Sequence, residues 1–217
     1  MANILFPSQK KYLLENRHQP DSLLIEIEKF AFENRVPILD WHAAEFLAQL
    51  IQIKRPKNVL EIGTAIAYSS LIIARNLRKK GCIDTIEKSI DNIAIAHNNI
   101  EKAGLKEKIN ILEGDALSIM PTLSKKYDFI FLDADKEDYE KLFYFSLMVL
   151  KEKGIIFIDN LLWKGFTAAS SVPKEFKKST KLIRCFNKIF LSQKTLHSSI
   201  LPIGDGIGLG IKSKVED

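Results

Sequence analysis

Three oxygen-bearing side chains fall at the ends of two apolar runs: Asp133 closes Phe129 to Leu132, and Asp159 with Asn160 closes Ile155 to Ile158. Two carboxylates and an amide carbonyl form a hard, all-oxygen donor set, which suits Mg²⁺ or a similar cation better than zinc. Three protein donors leave about three positions of an octahedral ion open, enough for water and two neighbouring oxygens of a substrate. A hydroxyl on such an ion loses its proton more readily and is held in one orientation. A plainer alternative exists, because acids at strand ends often cap helices, and Asp135 and Asp138 stand where they could cap one starting near Glu137.

Upstream lies a second constellation. In EIGTAIAYSS a strand ending at Ile62 meets Gly63, a loop follows, and Tyr68-Ser69-Ser70 open a helix. A strand, loop and helix N-terminus offers free backbone N–H groups to an anionic group such as a carboxylate. The loop is not GxGxxG, since Ala65 and Ala67 occupy the later positions, so a pyrophosphate-binding dinucleotide site is disfavoured. Glu87 ends the next strand at a distance suited to a ribose diol, and Gly114-Asp115-Ala116 follows the strand after that, where an adenine pocket would lie. Each has a simpler reading: Gly63 as a tight turn, Glu87 as a surface acid, Asp115 as a helix cap. Together, at the ends of three successive strands, they point to an adenosine-bearing cofactor.

These groups need a sheet to hold them. The runs at 58–62, 82–86, 108–112, 128–132 and 155–158 have strand composition, and the segments 68–79, 89–103, 117–123 and 137–151 between them read as helices. That alternation predicts a doubly wound, mostly parallel α/β sheet, with ligands outside the carboxyl ends of its strands. Gly104 and Gly154 are placed as stops for the helices before them. Before the sheet, helices near 10–16, 23–33 (after Asp21-Ser22) and 42–53 (after Asp40) form an N-terminal cap. After it come a helix from Lys174 to about Leu191 and a hairpin of 198–203 with 207–212 around Gly204-Asp205-Gly206.

At 217 residues with 46% hydrophobic content, the chain is expected to be one domain, residues 1–53 as helical cap and 54–217 as α/β core. No apolar run approaches the ~18–20 residues needed to span a bilayer. The N-terminus has charges where an export signal would be apolar, so a cytoplasmic, non-membrane protein is expected. Cys82 and Cys185 show no metal or redox spacing and read as buried thiols. His18, His42, His97 and His197 lack mutual ligand spacing. The net charge of +5 and pI near 9.0 are compatible with an anionic partner without requiring one.

Six motifs in order, EIGTAIAYS, Glu87, Gly114-Asp115-Ala116, DADKEDY at 133–139, DNLLWKG at 159–165 and LPIGDG at 201–206, resemble the cation-dependent class I S-adenosylmethionine O-methyltransferases, which include catechol and caffeoyl-coenzyme A methyltransferases. The resemblance covers about Val36 to Lys212. It implies a Rossmann-like seven-stranded sheet with an antiparallel C-terminal strand, S-adenosylmethionine as donor, and Mg²⁺ or another divalent ion on Asp133, Asp159 and Asn160. It further implies Lys136 as general base, and Leu39, Glu61, Gly63, Ser69, Glu87, Asp115, Ala116 and Asp133 around the cofactor. Trp163 would line the acceptor pocket, its simpler alternative being loop packing, and a homodimer is implied. One departure stands out: Ala67 replaces a glycine usual in the family's loop, and its methyl could narrow the pocket.

The acceptor is less constrained. On the helix at 174–191, Phe176, Ile183, Phe186 and Phe190 fall on one face, and Lys174, Lys177, Lys178, Lys181, Arg184 and Lys188 on the other. Such a stripe could follow a phosphate backbone or could be a solvated helix face. VPILD at 36–40, EIGTAIAYS, NLLWKG and the LPIGDG ending are similar to the bacterial tRNA 5-hydroxyuridine methyltransferases within this family. That similarity implies tRNA as partner and a wobble base whose 5-hydroxyl lies beside a 4-carbonyl. A small phenolic or catechol acceptor is the alternative, and a non-catalytic RNA-binding module with the same fold is the third.

Overall fold

The computed structural model describes residues 5–213; the ends of the expected domain, residues 1–4 and 214–217, lie outside the described residues. Seven strands form one sheet: β1 (Asn58–Ile62), β2 (Cys82–Glu87), β3 (Ile109–Glu113), β4 (Tyr127–Leu132), β5 (Leu150–Ile158), β6 (Leu196–Leu201) and β7 (Ile207–Lys212). Their order is β3-β2-β1-β4-β5-β7-β6. The first five run parallel, and β7 is antiparallel to both β5 and β6. Strand order reverses beside β1, which pairs with β2 on one side and β4 on the other, and a crevice opens at such a reversal.

Among the described residues eight α-helices flank the sheet: α1 (Pro7–Glu15), α2 (Ser22–Asn34), α3 (Trp41–Lys54), α4 (Tyr68–Asn76), α5 (Ile90–Lys102), α6 (Ala116–Ile119), α7 (Tyr139–Val149) and α8 (Lys177–Ser192). Burial on both faces explains the near-continuous apolar runs of β1 and β4. One apolar cluster joins α2, α3 and α4 to Val59, Phe129, Phe131 and Phe157. The other packs Leu60, Ile130 and Ile156 against α7 and α8 through Phe143, Ile183, Phe186 and Phe190. No helix among the described residues is long and apolar enough to cross a membrane.

The expected elements are present, with shifts that have local causes. The helix expected over 137–151 begins only at Tyr139, because residues 135–138 form a turn closed by the Asp138 N–H on the Asp135 carbonyl. It ends at Val149, and β5 starts at once at Leu150, so Gly154 lies inside a strand rather than stopping a helix. The expected helix start at Lys174 is a 3-10 turn over Lys174–Phe176, with α8 proper from Lys177. The last hairpin sits two residues earlier on its first strand, since Pro202 has no N–H to continue the ladder. Cys82 is half-buried and Cys185 exposed rather than buried, the latter because it follows Arg184 onto the charged side of α8.

The N-terminal cap is tied to the core by charge. Arg17 makes a bidentate pair with Glu28 at 3.0 and 2.6 Å, and Glu28 accepts the Tyr68 hydroxyl at 2.5 Å. The pair holds the Glu28 carboxyl below its usual range against the opposing push of burial, and burial raises the Tyr68 phenol to well above its own. Tyr68 opens α4, so this network fixes the cap against the helix that follows the Gly63 loop.

That helix starts on a non-glycine left-handed residue, Ala67, at φ 68°. Its methyl is buried in the first apolar cluster and does not line the crevice, so it does not narrow the pocket as the sequence suggested. A left-handed alanine costs about 1–2 kcal/mol, against about 0.8 kcal/mol for the buried carbon and about 0.4–1 kcal/mol of added chain freedom on removing it. Ala67→Gly is therefore expected to change unfolding free energy by less than about 1 kcal/mol, measured by urea denaturation; a loss above about 3 kcal/mol would show that the methyl is essential packing.

Candidate active site

The hydrogen-bond ladder of the sheet continues past the strand ends. Gly63 N–H donates to the Ile86 carbonyl at 3.0 Å, Asp133 N–H to Ile62 at 3.0 Å and Asp159 N–H to Leu132 at 3.2 Å. The four segments leaving β2, β1, β4 and β5 are thereby held in one layer. Gly63 lies at φ +104°, and a Cβ there would come within 1.8 Å of the Asp133 carbonyl oxygen. Only glycine allows this approach, which brings the loop and the acid together.

The layer opens onto a cavity of about 580 Å³, lined by residues from Pro37 to Asp205. Strand order puts Glu87, Gly114, Asp115 and Ala116 on the β2–β3 side, and Asp133, Lys136, Asp159, Asn160 and Trp163 on the β4–β5 side. Glu87 is fixed by three backbone donors: Ala65 N–H on Oε2 at 2.8 Å, with Lys88 and Ser89 N–H groups on Oε1 at 3.0 and 2.9 Å. Asp115 caps α6 through the Leu117 N–H at 2.8 Å and also lines the cavity.

Leu39, Glu61 and Ser69 do not line the cavity; Pro37 and Ile38 reach it from the segment that contains Leu39. Glu61 is fully buried under the loop and accepts the hydroxyls of Ser69 and Thr85 at 2.6 Å each, together with that of Ser70. Burial pushes its carboxyl up to about 7, against these hydrogen bonds. Ser69 thus faces Glu61.

On the other side, the Lys136 ammonium donates to Asn160 Oδ1 at 2.6 Å and to the Tyr139 hydroxyl at 2.5 Å, and lies 3.4 Å from Asp133 Oδ1. It also lies 5.7 Å from the Trp163 ring centre. Tyr139, buried, passes its own hydroxyl hydrogen to the Asp159 carbonyl at 3.1 Å; burial and then Asp133 and Asp159 raise its phenol well above the ordinary range. Burial, followed by repulsion from Asp133, likewise holds the Asp159 carboxyl well above the usual carboxylate range.

No group of three or more His, Cys, Asp or Glu among the described residues is arranged to hold a metal. The candidate set is instead two carboxylates and one amide. Its chemistry fits a hard cation: all donors are oxygens, and two acids are packed together beside Lys136.

Sequence reasoning assigns no role to Asp205, which lines the cavity, or to Tyr139, which is buried beside Lys136. Tyr139 opens α7 three positions after Lys136, and the turn between them brings the Lys136 ammonium to its hydroxyl. The basic residues do not gather at the cavity. Lys177, Lys181 and Arg184 line a separate hollow of about 420 Å³, Lys174 is exposed, and Lys178 pairs with Glu137 at 2.6 Å. Arg184 is not a free cation for a ligand: its guanidinium donates to the carbonyls of Phe166, Thr167 and Ala169 at 2.9, 3.0 and 2.5 Å, bracing the loop after Trp163.

An O-methyltransferase family model matches residues 15–213. A catechol O-methyltransferase of Niastella koreensis is 32% identical over 171 residues, 76% of this chain and 77% of that protein. A caffeoyl-CoA O-methyltransferase of Petunia hybrida is 35% identical over 175 residues, 76% of this chain and 72% of that one. Among solved structures, the O-methyltransferase of Bacillus cereus, in complex with SAH, superposes with a TM-score of 0.82 at 27% identity, covering 95% of this chain and 97% of that one. The fold and site define a class I methyltransferase. The chain belongs to the O-methyltransferase family and is an S-adenosylmethionine-dependent O-methyltransferase by class.

Glu61 supplies a pH test. Its folded-state value, about 7, lies above its ordinary 4.5, so the folded state holds the proton more tightly. The stability this gives is complete below pH 4.5, is lost as pH rises towards 7 and stays lost above it, a span of about 3 kcal/mol. Glu61→Gln, studied with a chelator present, is expected to flatten the fall in unfolding free energy between pH 5 and 7. An unchanged slope would place the titration elsewhere.

Proposed function

We propose that this chain transfers the methyl group of S-adenosylmethionine to an ionisable hydroxyl standing beside a second oxygen, the acceptor being 5-hydroxyuridine at the wobble position of tRNA. The reading is carried by one observation: Asp133, Lys136, Asp159 and Asn160 share a single cavity with Glu87, Asp115 and Ala116. Glu87, held rigid by three N–H groups, takes the two ribose hydroxyls of the donor, and Asp115 and Ala116 lie along its adenine edge. Gly63 and Ala65 offer backbone to its methionine end.

Asp133, Asp159 and Asn160 would hold Mg²⁺ or another divalent ion, which when bound lowers the pKa of an attached hydroxyl and fixes its direction. Trp163 covers the acceptor. Lys136 acts as general base; its ammonium must first release a proton, after which its nitrogen accepts the one from the acceptor hydroxyl. The new O–C bond then forms as the C–S⁺ bond breaks, leaving an ether and a neutral thioether. Positioning supplies most of the acceleration. Lys136→Met is expected to lower kcat at least about 100-fold while the donor dissociation constant, by calorimetry, stays within about twofold; loss of donor binding instead would assign Lys136 to the cofactor site.

Support for a nucleic-acid acceptor comes from the exposed Lys174, Lys177, Lys181 and Lys188 along one side of the segment beside the Trp163 loop. The pairing of Lys178 and the bracing role of Arg184 reduce that surface, and the names of the relatives favour the second reading, a small catechol. With S-adenosylmethionine and Mg²⁺, hydroxyuridine-containing tRNA is expected to yield methoxyuridine by mass spectrometry. Joint Lys177→Ala and Lys181→Ala changes should raise KM for tRNA and flatten its salt dependence by about 1.5 in logarithmic slope, leaving catechol turnover unaltered. Turnover of catechol without any tRNA product would replace the first reading by the second.

The chain is further proposed to act as a homodimer. α1 buries none of its residues, and Phe6, Tyr12, Leu14 and Phe32 are exposed, an apolar surface for which a second copy is a suitable cover.

A further inference from the structure

We infer that Lys164 is a specificity residue for the acceptor: its ammonium binds a phosphate carried by the molecule whose hydroxyl is methylated. The inference rests on the nucleotide reading of the acceptor given above. It concerns a cavity residue outside the donor, metal and base positions.

Two ammonium groups flank the Trp163 ring, and they differ in the donors they have left. Lys136, 5.7 Å from the ring centre, is fully engaged: it meets Asn160 Oδ1 at 2.6 Å, the Tyr139 hydroxyl at 2.5 Å and the Ala134 carbonyl at 3.2 Å, with Asp133 Oδ1 at 3.4 Å. Lys164 lies 5.8 Å from the same ring centre and 4.7 Å from that of Phe176. Its ammonium has no hydrogen-bond acceptor and no ion-pair partner among the described residues; the polar contact Lys164 makes is through its backbone N–H. An aromatic face attracts a cation without consuming its N–H groups. The ammonium is therefore placed, yet keeps its donors for a ligand.

The backbone beneath it is placed as well. Trp163, Lys164 and Gly165 follow one another at φ 47°, 55° and 79°, and a left-handed run with two side chains in it is costly to keep. It is held by the Lys164 N–H on Asp205 Oδ1 at 2.5 Å and by the Gly165 N–H on the Leu162 carbonyl at 2.9 Å. Arg184 braces the residues that follow through the carbonyls of Phe166, Thr167 and Ala169. A lysine that only has to be solvated needs no such support.

The ligand follows from this placement. An acceptor lying along Trp163 with its reacting hydroxyl towards Lys136 brings its other end to Lys164. In a uridine nucleotide with the base anti, the C5 edge and the 5′-phosphate lie on the same side of the sugar. The anionic group nearest a 5-hydroxyl is then that phosphate, an acceptor matched to an ammonium with free donors.

The test compares 5-hydroxyuridine with its 5′-monophosphate by calorimetry on the full chain, with S-adenosylhomocysteine and Mg²⁺ present, for wild type, Lys164→Met, Lys164→Asn and Lys164→Arg. The quantity read is the ratio of dissociation constants, nucleoside over monophosphate, which partial misfolding leaves unaltered because it removes sites for both. The wild-type ratio is expected to be at least about 10 and to shrink as salt is added. It should fall to about 1–2 in Lys164→Met and in Lys164→Asn, asparagine being well tolerated at this φ, and return in part with Lys164→Arg. A wild-type ratio near 1, or one that Lys164→Met and Lys164→Asn leave in place, overturns the inference. Binding of neither compound, with catechol turned over, removes the nucleotide reading and this inference with it; binding of both at equal strength defeats the Lys164 role alone.

Discussion

The backbone leaving β1 passes the end of β4 so closely that residue 63 has no room for a side chain, a Cβ there falling 1.8 Å from the Asp133 carbonyl. Everything on the cavity side follows from that contact. It lets the sheet's hydrogen bonding run on through Gly63, Asp133 and Asp159, so these backbone positions inherit the order of the sheet rather than the looseness of loops. It also joins the side of the cavity holding Glu87 and Asp115 to the side holding Lys136 and Asn160. A reaction between a bound donor and a bound acceptor depends on the separation of those two sides.

Charge placement follows the same logic of close packing. Asp159 and Asp133 are crowded, Asp159 buried, and Lys136 is their nearest compensation. Glu61 is buried deeper still and relies on three hydroxyls instead of a cation. These are costly arrangements for a fold to retain. Tyr139 carries part of that cost by linking the Lys136 ammonium to the backbone of Asp159.

Much of this was legible in the sequence. Apolar runs alternating with amphipathic segments gave the five parallel strands, because strands buried on both faces leave an unmistakable composition, and the acids just past those runs gave Glu87, Asp115, Asp133 and Asp159. What composition could not supply was the partner of each polar group. Glu61 and Ser69 flank the Gly63 loop within one motif, yet their side chains bond to each other beneath it. Arg184 looked like one more cation in a basic row, but three loop carbonyls claim it. Asp205 read as a turn residue because its neighbours in space, residues 160–164, are some forty positions away in sequence.

The cavity draws its lining from residues as distant as Pro37 and Asp205, and this spread has a consequence for how the protein comes into being. During synthesis no early portion of the chain contains a complete pocket, so a small molecule has nothing to grip until nearly the last strand has emerged. Its binding then rewards only the finished architecture, raising the stability of the native state as a whole by mass action while leaving partly assembled forms unprotected.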